Sequence, residues 1–258
     1  PFIARYRKEA TGQLDDQLLR ELNNRLTYLR NLEQRKNEVS QAIESAGAMS
    51  DEIAQSLSKA VTLAEVEDIY RPYKPKRKTR ASVAKEKGLE PLAEFIMVQS
   101  LASPFAEAAK YVSEEKGVDS AEDAVNGALD IIAENISDDP NLRKKLGVFY
   151  QNNALLVSKA ADPETDTVYR NYYDYSEAVK RIPSHRVLAI DRGERENVLK
   201  VSVEVNEDDA LRIVERDYVK AKNDNGNLVK TAAADGFRRL IHPSIERRIR
   251  SELTEAGC

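Results

Sequence analysis

The sequence predicts a mainly α-helical fold, an elongated assembly of several helices with helix-turn-helix character and a minor β element near 198–205. Gly (10) and Pro (9) are few for 258 residues, whereas all-β folds need turn residues at short intervals. Apolar residues make up 41% of the chain, and most recur at helical spacing, which argues against disorder throughout. One segment, 198–205, alternates apolar and polar residues as a strand does. The length fits one large domain or two ordinary ones.

The longest predicted helix covers 16–46. Its apolar residues step by three and four, so they share one helical face, and Gly47 is suited to end it. The opposite face is charged, which is typical of a bundle helix with one solvated side. A free-standing coiled coil is less favoured, because a fourth clean heptad is missing. The apolar residues are Leu18, Leu22, Leu26, Leu29, Leu32, Val39 and Ile43.

Shorter helices follow between 50 and 160, and a capping residue or a proline marks the start of each. Thr62 and Glu65 have the spacing of a capping box, in which the hydroxyl and the carboxylate each accept a bond from an unpaired backbone N–H. The helix that opens at Asp139 carries apolar residues as far as Leu156. The predicted starts are Ser50, Thr62, Ser103, Ser120 and Asp139.

A helix-turn-helix outline lies in the middle of this region. It consists of a short helix over 81–87, a turn at Gly88 and a second helix with Pro91 in its first turn. Many helical hairpins share this outline, and the apolar run 95–97 in the second helix is typical of core residues. The pattern is therefore a weak indication of insertion into a DNA groove.

The polar and aromatic stretch 162–175 predicts a loop or an extended arm, and a short helix starting at Ser176 is expected after it. The next segment, 185–192, fits either a helix or a strand at 187–190. A strand at 187–190 would give the strand at 198–205 a partner. Without it, the strand at 198–205 needs a partner from outside the chain.

Three further helices are predicted, over about 208–221, 228–241 and 243–255. We therefore expect two parts of the chain, 1–160 and 161–258. The first contains most of the capped helices, and the second contains the predicted strand and the last three helices.

Several functional classes are excluded by what the sequence lacks. The single cysteine, Cys258, excludes a disulfide framework and a Cys-based zinc site, and two histidines leave little for another metal site. No apolar run reaches the ~18 residues of a membrane span, and no leader is present, so we expect a cytoplasmic location. Phosphate-loop and nucleophile-elbow motifs are absent. We expect no enzyme activity, no catalytic residues, no cofactor and no metal.

The strongest local feature is Arg71–Arg80, which we call the basic segment. Six of its ten residues are cations and none is acidic. Pro72 and Pro75 favour an extended chain with cations on several sides, where phosphate contacts would release counterions, and Tyr73 is suited to stack on a base. The alternatives are ion pairing with the acidic middle of the chain, 101–180, and plain solvation. The candidate nucleic-acid-binding residues here are Tyr73, Lys74, Lys76, Arg77, Lys78 and Arg80.

The net charge is −4, but charged residues are unevenly distributed along the chain. Residues 101–180 hold 8 basic and 15 acidic side chains, and both flanks have a small excess of cations. A short basic run near the start of the chain adds the candidates Arg5, Arg7 and Lys8. A third run, around Arg247 and Arg248, lies between Glu246 and Glu252, which favours a helix face laced with salt bridges.

Several long strings, in the same order, resemble the bacterial Tex proteins. The likeness runs from end to end of the chain. Arg71 stands where the family more often has an apolar residue, which makes the basic segment more cationic. The strings include Pro1-Phe2-Ile3-Ala4-Arg5-Tyr6-Arg7-Lys8-Glu9, Tyr73-Lys74-Pro75-Lys76-Arg77-Lys78-Thr79-Arg80, Arg181-Ile182-Pro183-Ser184-His185-Arg186 and Pro243-Ser244-Ile245-Glu246.

The resemblance implies a transcription accessory factor similar to the core of the eukaryotic elongation factor Spt-six. In that family an N-terminal helical region precedes an RNase-H-like (YqgF) domain, helix-hairpin-helix motifs and an OB-fold RNA-binding domain. This chain resembles only the first region, so the resemblance implies that it is a fragment and that 161–258 leads into an RNase-H-like domain outside it. The expected function is a non-catalytic scaffold associated with RNA or DNA, without sequence specificity, and with the transcription machinery. The alternative is a protein-interaction or intramolecular scaffold that binds no nucleic acid.

Overall fold

The chain folds into two compact units, Pro1–Arg77 and Lys78–Cys258. The computed structural model describes residues 16–74 and 77–257. The mainly α-helical fold with a minor β element is confirmed. The domain boundary expected near 160 does not coincide with the division between the two compact units, and it stays a prediction about domains.

In its described residues, 16–74 and 77, the first unit contains three α-helices and a short 3₁₀ turn. They are α1 (Asp16–Ser45), α2 (Asp51–Lys59), α3 (Leu63–Tyr70) and the turn Arg71–Tyr73. The predicted capping box is confirmed: the Glu65 backbone N–H donates to Thr62 Oγ1 at 3.2 Å, and the Thr62 N–H donates to Glu65 Oε2 at 3.3 Å. These bonds fix the start of α3, the helix that leads into the basic segment.

The predicted apolar face of α1 is buried only over its second half. Leu32, Val39 and Ile43 pack with α2 and α3. The four leucines of this face in the first half are 41–61% exposed within this chain, and they are Leu18, Leu22, Leu26 and Leu29. Helical spacing therefore identified one face correctly, but it did not show where along that face the packing stops.

The second unit contains nine α-helices in its described residues. They are α4 (Arg80–Glu86), α5 (Glu90–Val98), α6 (Pro104–Ala108), α7 (Ala121–Asp138), α8 (Pro140–Asn153), α9 (Ser184–Arg195), α10 (Glu207–Tyr218), α11 (Asp224–Gly236) and α12 (His242–Gly257). Short 3₁₀ turns occupy Ala109–Tyr111 and Arg170–Tyr172, and a π-helical turn, Phe237–Ile241, joins α11 to α12. Helix α7 lies centrally, since α4, α5, α6 and α11 all pack against it.

The β element is a three-stranded antiparallel sheet of order β2-β1-β3. Its strands are β1 (Leu155–Ala160), β2 (Asp174–Ala178) and β3 (Leu199–Glu204). The strand predicted at 198–205 is thus confirmed, but its partner is β1. The extension of the Asp139 helix through Leu156 is wrong, because Leu156 belongs to β1 and is paired with Val203.

Two further expectations for this region are corrected. The helix expected from Ser176 is wrong, because Ser176 lies in β2 opposite Val157. The alternative strand at 187–190 does not form, since this stretch lies inside α9. Gly193 lies within α9, where a Cβ would come 2.6 Å from the Leu199 side chain, so the missing side chain lets α9 approach β3 closely.

Side chains of α12 cover the outer edge of β3. The Val203 backbone N–H donates to Glu246 Oε1 at 3.2 Å, and Arg250 Nη1 donates to the Val201 carbonyl at 3.4 Å. Arg250 also pairs with the buried Asp191 of α9 at 3.1 Å. These contacts pair backbone groups that an edge strand would otherwise expose, and they fix the position of α12 against the sheet.

Candidate nucleic-acid interface

The basic segment begins as a turn and ends as a helix cap. Pro72 lies in the 3₁₀ turn Arg71–Tyr73, so this part is wound and not extended as predicted. At the other end, Thr79 and Ser82 form a capping box: the Ser82 N–H donates to Thr79 Oγ1 at 3.0 Å, and the Thr79 N–H donates to Ser82 Oγ at 2.8 Å. Helix α4 therefore begins at Arg80.

In the first unit, Lys74 is exposed but has a neighbouring anion. Its Nζ lies 2.8 Å from Glu67 Oε2, and Arg35 Nε lies 2.7 Å from the other oxygen of Glu67. The two cations also lie over the Tyr70 ring, at 5.5 Å and 5.6 Å from its centroid. Together Arg35 and Lys74 hold the pKa of Glu67 below its usual value, with the Arg35 hydrogen bond as the largest cause.

Tyr73, predicted to stack on a base, is half-buried. It packs against the apolar core of α1, α2 and α3. Part of its ring is therefore already covered by protein, and only the remainder is available to another aromatic surface.

In the second unit, Lys78 and Arg80 are both exposed. Lys78 Nζ lies 3.8 Å from Glu86 Oε2, and its side chain remains 76% exposed. Arg80 faces Asp130 of α7: burial raises the pKa of Asp130, and the charges of Arg239 and Arg80 oppose that rise. The charge of Arg80 therefore acts on one carboxylate of the acidic middle, but within the described residues the basic segment forms ion pairs with Glu67 and Glu86 and none with 101–180.

A surface groove of about 570 Å³ adjoins this end of the basic segment. One set of lining side chains is cationic and another is acidic, so the groove as a whole is close to neutral. The charged lining residues are Lys78, Arg80, Lys87, Asp119, Asp123 and Asp130. We infer that the exposed outer side of Lys78 is better suited to a polyanion than the interior of this groove.

The remaining candidates are divided between exposed residues and undescribed ones. Arg77 is exposed. Lys76, Arg5, Arg7 and Lys8 lie outside the described residues, so their roles stay predictions.

The helix-turn-helix outline has a second helix, α5, whose exposed face does not suit a DNA groove. Gly88 occupies the turn with φ +75°. Leu92 and Ile96 face the core, whereas Glu90 and Glu94 are exposed. Carboxylates on the presented face would repel phosphates, so α5 is better explained as a core helix than as a recognition helix.

The third basic run divides into paired and accessible cations. Arg238 pairs with Glu207 at 2.5 Å, Arg239 with Asp235 at 2.9 Å, and Arg250 with Asp191 and Glu194. Most of these partners are distant in sequence, which the spacing on one helix face did not predict. Arg247 and Arg248 remain exposed. No sequence pattern predicted that Arg143 and Lys144 would lie on the neighbouring helix α8, where Arg143 contacts Ser244 of α12.

A chain of polar side-chain contacts lies between α8 and α12. The Tyr150 hydroxyl lies 2.5 Å from His242 Nδ1, and His242 Nε2 lies 3.3 Å from Glu246 Oε2. Burial raises the pKa of Tyr150 well above its usual value. These contacts give His242 a structural role in the packing of α12 against α8.

The described residues, 16–74 and 77–257, contain neither a metal-binding cluster nor a membrane-spanning helix. They contain no group of three or more His, Cys, Asp or Glu side chains placed to hold a metal ion. In the same ranges, no helix combines the length and apolarity that a membrane span requires.

Fold and surface together define a mainly helical protein region with a small antiparallel sheet and an exposed basic segment. Two family models match it: the Tex-like protein N-terminal domain over residues 1–44 and the Tex central region-like model over residues 99–256. The Bacillus subtilis (strain 168) protein YdcI is 43% identical over 260 residues, which cover 99% of this chain and 36% of YdcI.

Two further relatives carry informative names. The transcriptional accessory protein Tex of Neisseria gonorrhoeae is 40% identical over 265 residues, covering 100% of this chain and 35% of the relative. The human S1 RNA-binding domain-containing protein 1 is 30% identical over 275 residues, covering 98% and 27% respectively. The chain belongs to the Tex family. It spans between 27% and 36% of the length of these three relatives.

Proposed function

We propose that this chain is the nucleic-acid-associated scaffold region of a transcription accessory factor and that it carries out no catalysis itself. Membership of the Tex family, with relatives named for transcription and for RNA binding, supports the general role. The observation that carries the local assignment is the exposure of the described cations of the basic segment: Lys74, Arg77, Lys78 and Arg80. Lys76 is proposed to act with them.

The ion pairs of the basic segment are weak enough to exchange for phosphate. Lys74 is 50% exposed beside Glu67, and Lys78 lies 3.8 Å from its partner Glu86. Exposed pairs of this kind contribute about 0–1 kcal/mol. A phosphate contact is favoured by counterion release, and its contribution grows as salt is lowered. The neighbouring carboxylates therefore reduce the affinity of the segment without cancelling it.

The test is fluorescence anisotropy with single- and double-stranded RNA and DNA at 50–200 mM salt. We expect binding to all four, because cations that contact phosphates do not read base identity. Replacing Lys74, Lys76, Arg77, Lys78 and Arg80 by Ala should lower affinity and flatten the salt dependence. On duplex DNA each lost phosphate contact reduces the slope of log K against log salt by about 0.9.

The matched control changes five exposed lysines away from the segment to Ala, with the same change in net charge. These are Lys159, Lys180, Lys200, Lys220 and Lys222. Equal loss of affinity in both variants would show a diffuse charge effect and contradict the assignment to the basic segment. Undiminished binding by the segment variant would contradict it directly.

A second candidate function, a protein-interaction scaffold without nucleic-acid binding, is favoured by the exposed leucines of α1. The coupling of Arg80 to Asp130 favours its intramolecular form. No measurable affinity for any of the four nucleic acids at 50 mM salt would support this second function.

A further inference from the structure

Two helices that are far apart in sequence bring cations together on one surface of the second unit. Arg143 of α8 donates from Nη1 to Ser244 Oγ of α12 at 3.0 Å. One turn further along α8, Gly147 leaves space for Arg248: a Cβ at Gly147 would lie 2.8 Å from Arg248 Nη2. Exposed cations adjoin both contacts, Lys144 after Arg143 and Arg247 before Arg248. We call these four cations the α8/α12 basic cluster.

The cluster is only lightly neutralised. Within the described residues, the cluster forms one ion pair: Arg248 Nε lies 3.6 Å from Glu252 Oε1, and both side chains are about half exposed. The neighbouring Lys145, by contrast, is paired with Asp217 at 2.7 Å. An exposed pair such as Arg248–Glu252 contributes little and yields readily to another anion.

Part of the cluster is held in place before any ligand binds. Arg143 donates from Nε to the Ser137 carbonyl as well as to Ser244, so two bonds fix the orientation of its guanidinium group. These partners are neutral oxygens and leave the charge uncompensated. A guanidinium group that is oriented but not neutralised is suited to phosphate, which accepts two parallel N–H bonds.

We propose that the α8/α12 basic cluster is a second site for the phosphate backbone of nucleic acid, in addition to the basic segment. This inference rests on the proposed function of the chain. The composition of the surface favours nucleic acid over an acidic protein, because a protein interface needs an apolar core. Val148, at 54% exposure, is the one large apolar residue of α8 that is exposed.

The experiment compares the full chain with a variant carrying Lys144→Ala, Arg247→Ala and Arg248→Ala, using duplex and single-stranded RNA at 50 and 200 mM salt. Arg143 is left intact because it bonds to the protein. The expected result is weaker binding and a flatter salt dependence. The affinity of duplex at 50 mM salt divided by that at 200 mM measures the salt dependence. Each lost phosphate contact should lower this ratio by roughly 3.5-fold.

Two matched controls separate charge placement from total charge and from folding. Lys144→Arg, Arg247→Lys and Arg248→Lys together retain all three charges and should keep affinity within about twofold, because each cation can still form its phosphate contact. Lys159→Ala, Lys180→Ala and Lys200→Ala remove three charges elsewhere and should have less effect than the cluster variant. All variants should keep the wild-type circular dichroism spectrum and melting temperature.

The outcomes distinguish this site from the basic segment. If the cluster variant binds like the wild type while the basic-segment variant loses affinity, the second site is overturned and the proposed function stands. If only the cluster variant loses affinity, the second site is supported and the role of the basic segment fails. If polyglutamate competes as well as RNA of equal charge, the site recognises acidic protein and the proposal is overturned. A wild-type chain that binds no nucleic acid overturns both.

Discussion

The buried side chain of Gln99 is one of the links between the loop after α5 and the loop after α10, and removing it should destabilise the second unit measurably. Gln99 is 6% exposed. Its Nε2 donates to the Tyr218 carbonyl at 2.7 Å, and its Oε1 accepts from the Lys220 N–H at 2.8 Å and the Ala221 N–H at 3.1 Å. Gln99→Ala deletes all three bonds.

The expected cost follows from that count. A typical hydrogen bond contributes about 1 kcal/mol net, so the loss of three should cost about 3 kcal/mol. Gln99 also has a left-handed backbone with φ 56°, a conformation that is unfavourable for alanine by about 1 kcal/mol and free for glycine. Gln99→Gly should therefore cost about 2 kcal/mol, less than Gln99→Ala although both lack the side-chain bonds.

Urea unfolding followed by circular dichroism measures the global cost, and hydrogen exchange of the Lys220 and Ala221 amides measures the local one. Both amides should exchange faster in either variant. A cost below about 1 kcal/mol for Gln99→Ala, or a glycine variant no more stable than the alanine variant, would refute this account of the loop.

Gln99→Glu adds a dependence on pH that a simple loss of packing would not show. One carboxylate oxygen can still accept from Lys220 and Ala221, but the other faces the Tyr218 carbonyl. That contact favours the protonated acid, so the folded pKa of the new group should lie above its unfolded value of about 4.3. Relative to wild type, the variant should be most stable below that value and lose stability as pH rises through the folded pKa.

Three other substitutions test separate contacts of the second unit. Gly226→Ala should cost at least about 2 kcal/mol in urea unfolding, because its Cβ would overlap a backbone carbonyl oxygen of the preceding turn. Tyr150→Phe should cost about 0.5–1.5 kcal/mol by the same assay, since it removes the bond to His242. The Tyr218 hydroxyl, donating at 2.5 Å, is the largest cause of the lowered pKa of Asp139. This carboxylate therefore stabilises the fold above about pH 4, and Tyr218→Phe should weaken the loss of stability on acidification.

Each of these three predictions has a result that contradicts it. A fully stable Gly226→Ala variant would show that the turn before α11 is not constrained as the structure indicates. Unchanged stability of Tyr150→Phe would show that water replaces the lost partner of His242 without cost. An acid transition of Tyr218→Phe that matches the wild type would show that Asp139 owes its depressed pKa to the backbone N–H groups of α8 alone.

Helix starts could be predicted from the sequence because the bonds that define them are local. The side chains of Ser50, Ser120 and Asp139 each accept a backbone N–H two or three residues later, where the sequence placed them. The capping box at Thr62 and Glu65 is equally local. Such signals depend on fewer than five residues, and no distant partner is needed to form them.

Strand β1 could not be predicted in the same way. Leu156 continues the apolar spacing of α8, and nothing within 155–160 opposes a longer helix. The strand exists because Leu156 pairs with Glu177 on one side and Val203 on the other. Those partners lie about 20 and 50 residues away, so the pattern within one segment could not reveal them.

The two candidate surfaces differ in whether the sequence could predict them, because one is local and the other joins distant residues. The basic segment is contiguous in the sequence, so a count of charges identifies it. The α8/α12 basic cluster depends on a bond between Arg143 and Ser244, 101 residues apart, which no local pattern indicates. The net charge of the region is no guide either, because α8 belongs to the acidic middle of the chain.

Whether a cation is available to phosphate depends on the direction of its neighbouring carboxylates in space. Glu246 is adjacent to Arg247 in sequence, which suggested mutual neutralisation. In the structure Glu246 accepts a hydrogen bond from the Val203 N–H at the edge of β3 and lies beside His242, so it does not neutralise Arg247. Arg250, three residues further along, is the cation drawn inward, to Asp191 of α9. The charged side chains of α12 therefore lie on two faces. Glu246 and Arg250 form structural contacts on the face toward the sheet, whereas Arg247 is exposed to solvent, where a polyanion can reach it.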